Sequence, residues 1–340
     1  MSVEYEGEIY NIEIKNGLIT LDLSNKKITD MARIKGLEKL SQLQVLFLNG
    51  NLIKEIKGLR GLKNLQRLDL FKNLITNTTG LEQLPNLQEL NLVINHISEI
   101  KGLNNLKSLR ILNLSWNDIE EIKSLENLKN LEKLSLSWNN IREMKGFSNL
   151  SNLYVLKITG NKLTEISGIE NLTELKELSL GDNQIAEINC IENLCKLRKL
   201  NLSWNNISEV KGLGNLDHLQ ELWLNNNPVE ELIDREFNKN GTEKPAQKIY
   251  PQNLVNYCKT KVTFIVKLKE MMEVSTRLRL SMMLKVLNLN KDFFYENLFT
   301  WAKKFNFKID GDFIVTENAD IDGFICDLDK QSEIWKQGFN

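Results

Sequence analysis

Few side chains of this chain are arranged to bind a metal ion. Six residues near the C-terminus are spaced like those of a calcium-binding loop: Asn318, Asp320, Asp322, Gly323, Ile325 and Asp329. A calcium loop of this type needs a helix directly before it and a bidentate glutamate at its end. Here a predicted strand precedes the segment, and an aspartate closes it. We therefore interpret these residues as the acidic first turn of a helix, where carboxylates interact favourably with the helix dipole.

The cysteines and histidines predict neither a metal site nor a disulfide framework. His96 and His218 are the two histidines, and no two cysteines form a Cys-x-x-Cys pair. Four cysteines are too few to cross-link 340 residues, so we expect reduced thiols. The sequence has no glycine-rich phosphate loop, nucleophile elbow or conspicuous carboxylate pair. We expect a protein that is not an enzyme and that uses no cofactor, no metal and no small-molecule substrate.

A strict repeat dominates the rest of the chain. Nine asparagines fall 22 residues apart: Asn51, Asn73, Asn95, Asn117, Asn139, Asn161, Asn183, Asn205 and Asn227. A leucine stands eight and five positions before each of them, and a third stands three before, except for Ile158. Alternating leucines predict short strands with one buried side, and a period of about 20 to 30 residues predicts a solenoid. The expected fold is therefore an α/β solenoid with a concave parallel β-sheet.

The asparagines are predicted to belong to the scaffold. At the bend after each strand, backbone amides and carbonyls turn inward, where leaving one unpaired costs roughly 1–3 kcal/mol. A carboxamide carries both a donor and an acceptor, so we expect each asparagine to bond to the turns on either side. One departure from the frame, Thr78 in place of an aliphatic residue, predicts a local weakness.

Four segments are predicted, namely an N-terminal β-hairpin cap, a solenoid of about ten repeats, a helical cap with a linker, and a small winged-helix-like domain, at residues 1–17, 18–232, 233–273 and 274–340. The first boundary rests on Asn16-Gly17, a strong hairpin signal between the strand-like segments Glu8–Lys15 and Leu18–Ser24. The last domain rests on its predicted order of strand, helix, helix and β-hairpin.

The repeated Leu-Ser-x-Asn-x-Ile and Lys-Gly-Leu-x-x-Leu patterns resemble the 22-residue class of leucine-rich repeats. This class occurs in the regulatory subunit of protein phosphatase 1 and in internalins, and the resemblance covers residues 18–232. It implies a protein partner of the phosphatase or small GTPase type. Internalins carry a signal peptide, whereas the chain starts with the acidic segment Met1–Glu6, so the intracellular branch looks closer. Residues 277–335 resemble the winged-helix half of PCI-type assembly modules.

The charge balance predicts little attraction to nucleic acid or to membranes. The formal net charge is −1, and the apolar runs are far shorter than the ~20 residues of a bilayer span. We expect a cytoplasmic protein. In the predicted second domain, Lys291, Lys303 and Lys304 oppose acidic residues on the same helix and at the hairpin tip. Acidic groups repel phosphates, so we expect protein docking there and keep nucleic-acid association as the alternative.

The binding site is predicted from large or charged residues at exposed positions that do not belong to the leucine and asparagine pattern. Eight such side chains on the exposed sheet positions are the expected partner contacts: Phe47, Phe71, Ile94, Trp116, Trp138, Trp204, Trp223 and Lys157. With strands ~4.8 Å apart, the residues at 94, 116 and 138 form one apolar ridge, which Phe71 and Val93 continue. Tryptophan is typical of interface anchors. The alternative is a duplicated repeat whose rings lie flat on the strand ends and shield the asparagine bend.

Overall fold

The computed structural model describes residues 1–229, 251–252, 254–256, 258–259, 269, 272, 277–287, 291–317, 319–321 and 323–324. These residues fall into two compact units, residues 1–255 and residues 256–340. Most of the predicted helical cap and linker lies outside the described residues, and the predicted segment boundaries stay a prediction.

The first unit is a solenoid built on an 11-stranded sheet. Its strands are β3 (Glu13–Lys15), β4 (Leu18–Asp22), β5 (Val45–Phe47), β6 (Arg67–Asp69), β7 (Glu89–Asn91), β8 (Ile111–Asn113), β9 (Lys133–Ser135), β10 (Val155–Lys157), β11 (Glu177–Ser179), β12 (Lys199–Asn201) and β13 (Glu221–Trp223). They lie side by side in chain order, and β4 to β13 are parallel. The predicted fold class is confirmed.

Repeat follows repeat without a slip in register. The middle leucine of each strand pairs with the middle leucine of the next, as Leu134 does with Leu156 and Leu156 with Leu178. These leucines are buried, and so are the aliphatic residues of the return segments, such as Ile141 and Leu150. Because stacked repeats share one continuous core, each repeat is stabilised by its two neighbours. Short 3-10 helices occur in the return segments at Met31–Arg33, Leu37–Lys39 and Leu81–Gln83.

The asparagine side chains link consecutive turns in one direction. Asn139 Oδ1 accepts from the Ile119 amide at 3.0 Å, and its Nδ2 donates to the carbonyls of Leu114 and Leu136, both at 3.0 Å. Equivalent bonds recur along the series. Each carboxamide therefore bonds to its own turn and to the preceding turn. The expectation that it bonds to the turns on both sides was wrong, because Oδ1 and Nδ2 are both engaged by groups of its own turn and of the preceding turn.

The N-terminal edge is closed by antiparallel strands. Asn16 and Gly17 both have positive φ, 51° and 77°, and turn β3 back onto β4, as the hairpin signal predicted. The single strand expected from Glu8 to Lys15 is divided in two. Its first half, β2 (Glu8–Asn11), pairs instead with β1 (Ser2–Tyr5) in a separate two-stranded sheet.

Thr78 is not the local weakness that the sequence predicted. The residue is fully buried, and its hydroxyl donates to the Lys101 carbonyl of the next repeat. The same hydroxyl accepts from the Lys101 amide at 2.7 Å. Since both hydrogen-bonding capacities of the hydroxyl are used, the threonine replaces an apolar contact with a link between repeats.

The second unit contains a three-stranded antiparallel sheet and two helices. In chain order these are β14 (Arg277–Arg279), α1 (Leu280–Leu287), α2 (Lys291–Phe305), β15 (Lys308–Asp310) and β16 (Phe313–Val315), and the sheet order is β14-β16-β15. The described residues between 251 and 272 are helical. No helix among the described residues is long and apolar enough to span a membrane.

The second unit has its own aromatic core. Phe294 and Trp301 of α2 pack with Phe324, and Trp301 contacts the Phe324 ring at a centroid distance of 5.7 Å. Two aromatic residues of α2 lie outside this core: Tyr295 is exposed, and Phe299 is 73% exposed. They lie one helical turn apart, on the side of α2 that faces away from the core.

Replacing Asn139 with alanine should lower the free energy of unfolding by about 1–3 kcal/mol, because it leaves the buried Ile119 amide without its partner. The Leu114 and Leu136 carbonyls keep one bond each, from Asn117 and Asn161. Asn183→Ala is the matched control. Asn183 makes the same set of bonds but is only partly buried, so water can replace its carboxamide and the loss should be smaller. Urea denaturation followed by circular dichroism measures both. Equal losses would contradict the role of burial.

Candidate functional site

The residue directly before each asparagine has a left-handed backbone. All nine such residues have φ between 53° and 69°. We call them the left-handed row: Gly50, Lys72, Ile94, Trp116, Trp138, Gly160, Asp182, Trp204 and Asn226. Glycine, asparagine and aspartate tolerate this conformation, whereas other residues lose roughly 1–2 kcal/mol through a clash between Cβ and the backbone.

Four members of the row are large apolar residues in this unfavourable conformation. A β-branched residue such as Ile94 at φ 55° is a genuine outlier, and Trp116, Trp138 and Trp204 have φ between 56° and 58°. Local strain of this kind is retained where the side chain has another use. Sequence reasoning missed the strain, although Gly50 and Gly160 at equivalent positions were a signal for it.

Two tryptophans of the row stack on each other. The ring centroids of Trp116 and Trp138 are 4.9 Å apart, and the ring planes differ by 18°. Trp138 in turn lies against the backbone of Gly160, where the Cβ of any larger residue would come within 2.7 Å of the indole ring. Each ring thus lies toward the following repeat: Trp116 contacts Trp138, and Trp138 contacts Gly160.

The stacked rings remain open to solvent. Trp116 is 53% exposed and Trp138 42%, and Ile94 is exposed beside them. We call these three residues the aromatic strip. An exposed apolar cluster of adjacent large side chains is a common mark of a contact surface.

The asparagines do not need the rings as a shield. Asn73 directly follows Lys72, and the row residue of the preceding repeat is Gly50, so neither row position carries a ring. Asn73 is nevertheless only 4% exposed. Asn117, which directly follows Trp116, is 7% exposed. Burial of the carboxamides is therefore equally complete without tryptophan, which argues against a role of the rings in shielding the asparagine bend.

The other predicted contact residues are more dispersed. Phe47, Phe71 and Trp223 are half-buried on the sheet face, and Trp204 is exposed but separated from the strip by Gly160 and Asp182. The Lys157 ammonium is held by Glu177 at 2.7 Å. The structure thus brings together three of the eight predicted residues as one contiguous cluster, with the remainder around it.

Several charges on the sheet face neutralise one another across strands. Arg67 pairs with Glu89 at 3.6 Å, and Lys199 pairs with Glu221 at 2.7 Å. The hydrogen bond to Glu221 raises the pKa of Lys199 above its ordinary value. Exposed pairs of this type contribute little to stability, so their main effect is to fix the charge pattern of the surface.

Two other residues that could react or bind a metal, Cys190 and Asp320, have local hydrogen-bond partners. Burial, with a hydrogen bond to Glu170, raises the pKa of the Cys190 thiol, which makes the reactive thiolate scarcer. In the segment spaced like a calcium loop, Asp320 Oδ1 accepts from the Gly323 amide at 2.9 Å, as a residue at a helix start does. Asn318, Asp322, Ile325 and Asp329 lie outside the described residues.

The chain matches two repeat families. Residues 95–291 match the family described as "Leucine-rich repeat region", and residues 41–83 match "Leucine Rich repeats (2 copies)". The first match covers more than half of the chain. A comparison with curated proteins gave no match.

Solved structures with a similar fold come from bacteria and a plant. A leucine-rich repeat protein of Leptospira interrogans has 34% identity and a TM-score of 0.56, covering 59% of this chain and 55% of that one. An internalin of Listeria monocytogenes has 29% identity and a TM-score of 0.48, covering 61% and 74%. The ectodomain of an Arabidopsis thaliana receptor kinase, solved in complex with Casparian strip integrity factor 2, has 23% identity and a TM-score of 0.51, covering 61% and 26%. The plant protein shows the fold alone.

Replacing Gly160 with alanine should displace the Trp138 ring and destabilise the protein by about 1–2 kcal/mol, because the new Cβ clashes with the ring and φ is +68°. Far-UV circular dichroism detects the change, since closely stacked indoles give an exciton couplet that depends on their geometry. Gly17→Ala is the control, since Gly17 has φ +77° and open space around it. It should cost stability only through its backbone conformation, and therefore less than the Gly160 variant, and leave the couplet intact. An unchanged couplet in the Gly160 variant would show that the ring does not rest on this glycine.

Proposed function

This chain belongs to the leucine-rich repeat family, and we propose that it is a non-enzymatic recognition scaffold or regulatory subunit that binds a protein partner on its sheet face. One observation carries the proposal: the exposed stack of Trp116 and Trp138 is built at backbone positions where these residues cost stability. The core does not need the rings, and the asparagines do not need their cover.

Binding a partner would recover the lost stability. A tryptophan buries about 150–250 Å² when covered, and each Å² of apolar surface contributes about 25 cal/mol. Two stacked rings can therefore provide several kcal/mol at the centre of an interface. Since the rings hold each other in place, little side-chain freedom is lost when they are covered.

The proposed partner type and location are based on the resemblance of the repeats. We propose a partner of the phosphatase or small GTPase type, and a cytoplasmic protein, because the repeats resemble those of the regulatory subunit of protein phosphatase 1. Phe47, Phe71, Trp204, Trp223 and Lys157 are proposed as outer contacts around the aromatic strip.

We propose that the second unit is a winged-helix module of the PCI type that makes a second protein contact. Its strand order, with β14 beside β16 and β15 at the edge, supports this proposal. The exposed Phe299 and Tyr295 on α2 offer apolar surface for such a contact.

A second candidate function is nucleic-acid association through this unit. The guanidinium groups of Arg277 and Arg279 lie 4.5 Å and 5.6 Å from the centroid of the Phe313 ring, an arrangement suited to stacking on bases. Arg277, however, pairs with Asp310 at 2.7 Å, which reduces the positive charge there. A salt-sensitive mobility shift of duplex DNA by the full chain would favour this candidate.

The double variant Trp116→Asn with Trp138→Asn tests the scaffold proposal. Asparagine suits this backbone, since Asn226 occupies the same row with φ 57°, so folding should be kept. Proteins captured by the wild-type chain and identified by mass spectrometry should bind the variant at least about tenfold more weakly, as expected when anchor residues are removed.

Lys72→Asn is the matched control for this experiment. It changes an exposed residue of the same row with the same backbone conformation but removes no ring, so capture should be unaffected. If the double variant and the control recover the same proteins in the same amounts, the aromatic strip is not the binding surface.

A further inference from the structure

A second cluster lies at the other end of the strands. The ammonium groups of Lys133 and Lys176 lie 5.6 Å and 5.7 Å from the centroid of the Tyr154 ring. Arg198 follows in the next repeat, and the backbone joins the three positions, with Lys176 N donating to Tyr154 O and Arg198 N donating to Lys176 O, both at 2.9 Å. We call Lys133, Tyr154, Lys176 and Arg198 the basic cluster.

Within residues 1–229, the three cations of the basic cluster lack a carboxylate partner. Neither lysine nor the arginine forms an ion pair in this part of the chain, although acidic side chains stand close by in the same repeats. Those acids are already engaged. Glu132 is held by Arg110 at 2.7 Å, Glu177 by Lys157 at 2.7 Å and Glu221 by Lys199 at 2.7 Å.

Unpaired like charges in neighbouring positions repel one another, and no acidic side chain among residues 1–229 offsets this repulsion. Exposed cations side by side on adjacent strands are mildly destabilising. Elsewhere on the sheet face an acid lies opposite a base, as in the Arg67–Glu89 and Lys199–Glu221 pairs. The tyrosine also holds the two ammonium groups over its ring, which is favourable for a cation. The cluster is therefore ordered as well as charged.

We propose that the basic cluster binds an acidic segment of the same protein partner whose apolar side chains cover the aromatic strip. This inference rests on the proposed function and adds the chemistry of the partner. Lys133 begins β9, and Trp138 follows five residues later at the bend after the strand, so the two positions are at most about 17 Å apart. A partner segment with carboxylates at one end and a large apolar side chain about five extended residues away would reach both sites.

Acidic side chains fit this surface better than a nucleic-acid backbone. A nucleic-acid strand places phosphates at regular intervals and would meet Glu132, Glu177 and Glu221 within the same rows. A short acidic segment needs cations at one place only. On this sheet face the basic cluster is surrounded by ion pairs, and this pattern favours a protein ligand over a nucleic acid.

The test uses the full chain and a synthetic ten-residue peptide that carries three consecutive glutamates and, five residues further on, a leucine. Binding is followed by NMR titration of the labelled peptide at 50 mM and 500 mM NaCl. We expect the wild-type chain to bind this peptide, to bind it more weakly at high salt because of screening, and to bind a version with glutamines several-fold more weakly.

The variant Lys133→Ser with Lys176→Ser should bind the glutamate peptide about fivefold more weakly than the wild type and lose most of the salt dependence. The control Lys63→Ser with Lys107→Ser removes the same net charge from exposed residues of the return segments and should bind as the wild type does. Circular dichroism spectra that match the wild type establish that both variants are folded.

Three results would overturn the inference: equal binding of the glutamate and glutamine peptides, equal binding by the cluster variant and the wild type, or displacement of the peptide by a single-stranded DNA 12-mer at a lower concentration than by the unlabelled peptide. None of these results contradicts the scaffold proposal. That proposal is contradicted only if the Trp116 and Trp138 double variant captures the same proteins in the same amounts as the wild type. The two proposals can therefore fail separately.

Discussion

The hydrogen bonds of the buried asparagines set the conditions for the rest of the solenoid. Each carboxamide satisfies an amide and two carbonyls at a bend where water has no access, as Asn139 does for Ile119, Leu114 and Leu136. Unpaired groups at this depth are costly, and the side chain must therefore sit in the same place in every repeat. A fixed bend fixes the strand before it, and the identical spacing of the bends keeps the leucines in register across the sheet.

The same bend creates the opportunity for a binding surface. Directly before each asparagine the backbone is left-handed, and the side chain there projects at the carboxyl end of the strand toward the next repeat. Small or flexible residues satisfy this position at low cost. Trp116 and Trp138 use it to hold two rings in a stack. The backbone at this position is thus constrained to one conformation, whereas the type of side chain varies between repeats. The same repeat can therefore carry different surfaces.

The two ends of the strands carry different chemistry. The aromatic strip lies at the carboxyl ends of β7 to β9, and the basic cluster lies at the amino ends of β9 to β12. Between them the surface holds small polar side chains such as Ser115 and Ser135, whose hydroxyls are 2.7 Å apart. Because the parallel strands are rigidly spaced, both features are presented at a fixed separation, and a partner does not have to order the sheet on binding.

The sequence by itself determined the fold of the repeats, because a 22-residue period with leucines and an asparagine at fixed positions admits one way of burying them. It also located the four tryptophans of the repeats, Trp116, Trp138, Trp204 and Trp223, at positions outside the core. It could not reveal that Thr78 is satisfied by Lys101, that the carboxamides bond to their own and the preceding turn but not to the following one, or that Phe299 lies outside the core of its unit. These features depend on contacts between residues distant in the chain. Most of all, the sequence did not show which lysines of the sheet face are neutralised by a neighbouring acid. Tertiary structure alone decided that Glu177 neutralises Lys157 while Lys133 shares a tyrosine with Lys176, because the pairing of charges across strands is set by distances that spacing along the chain does not contain.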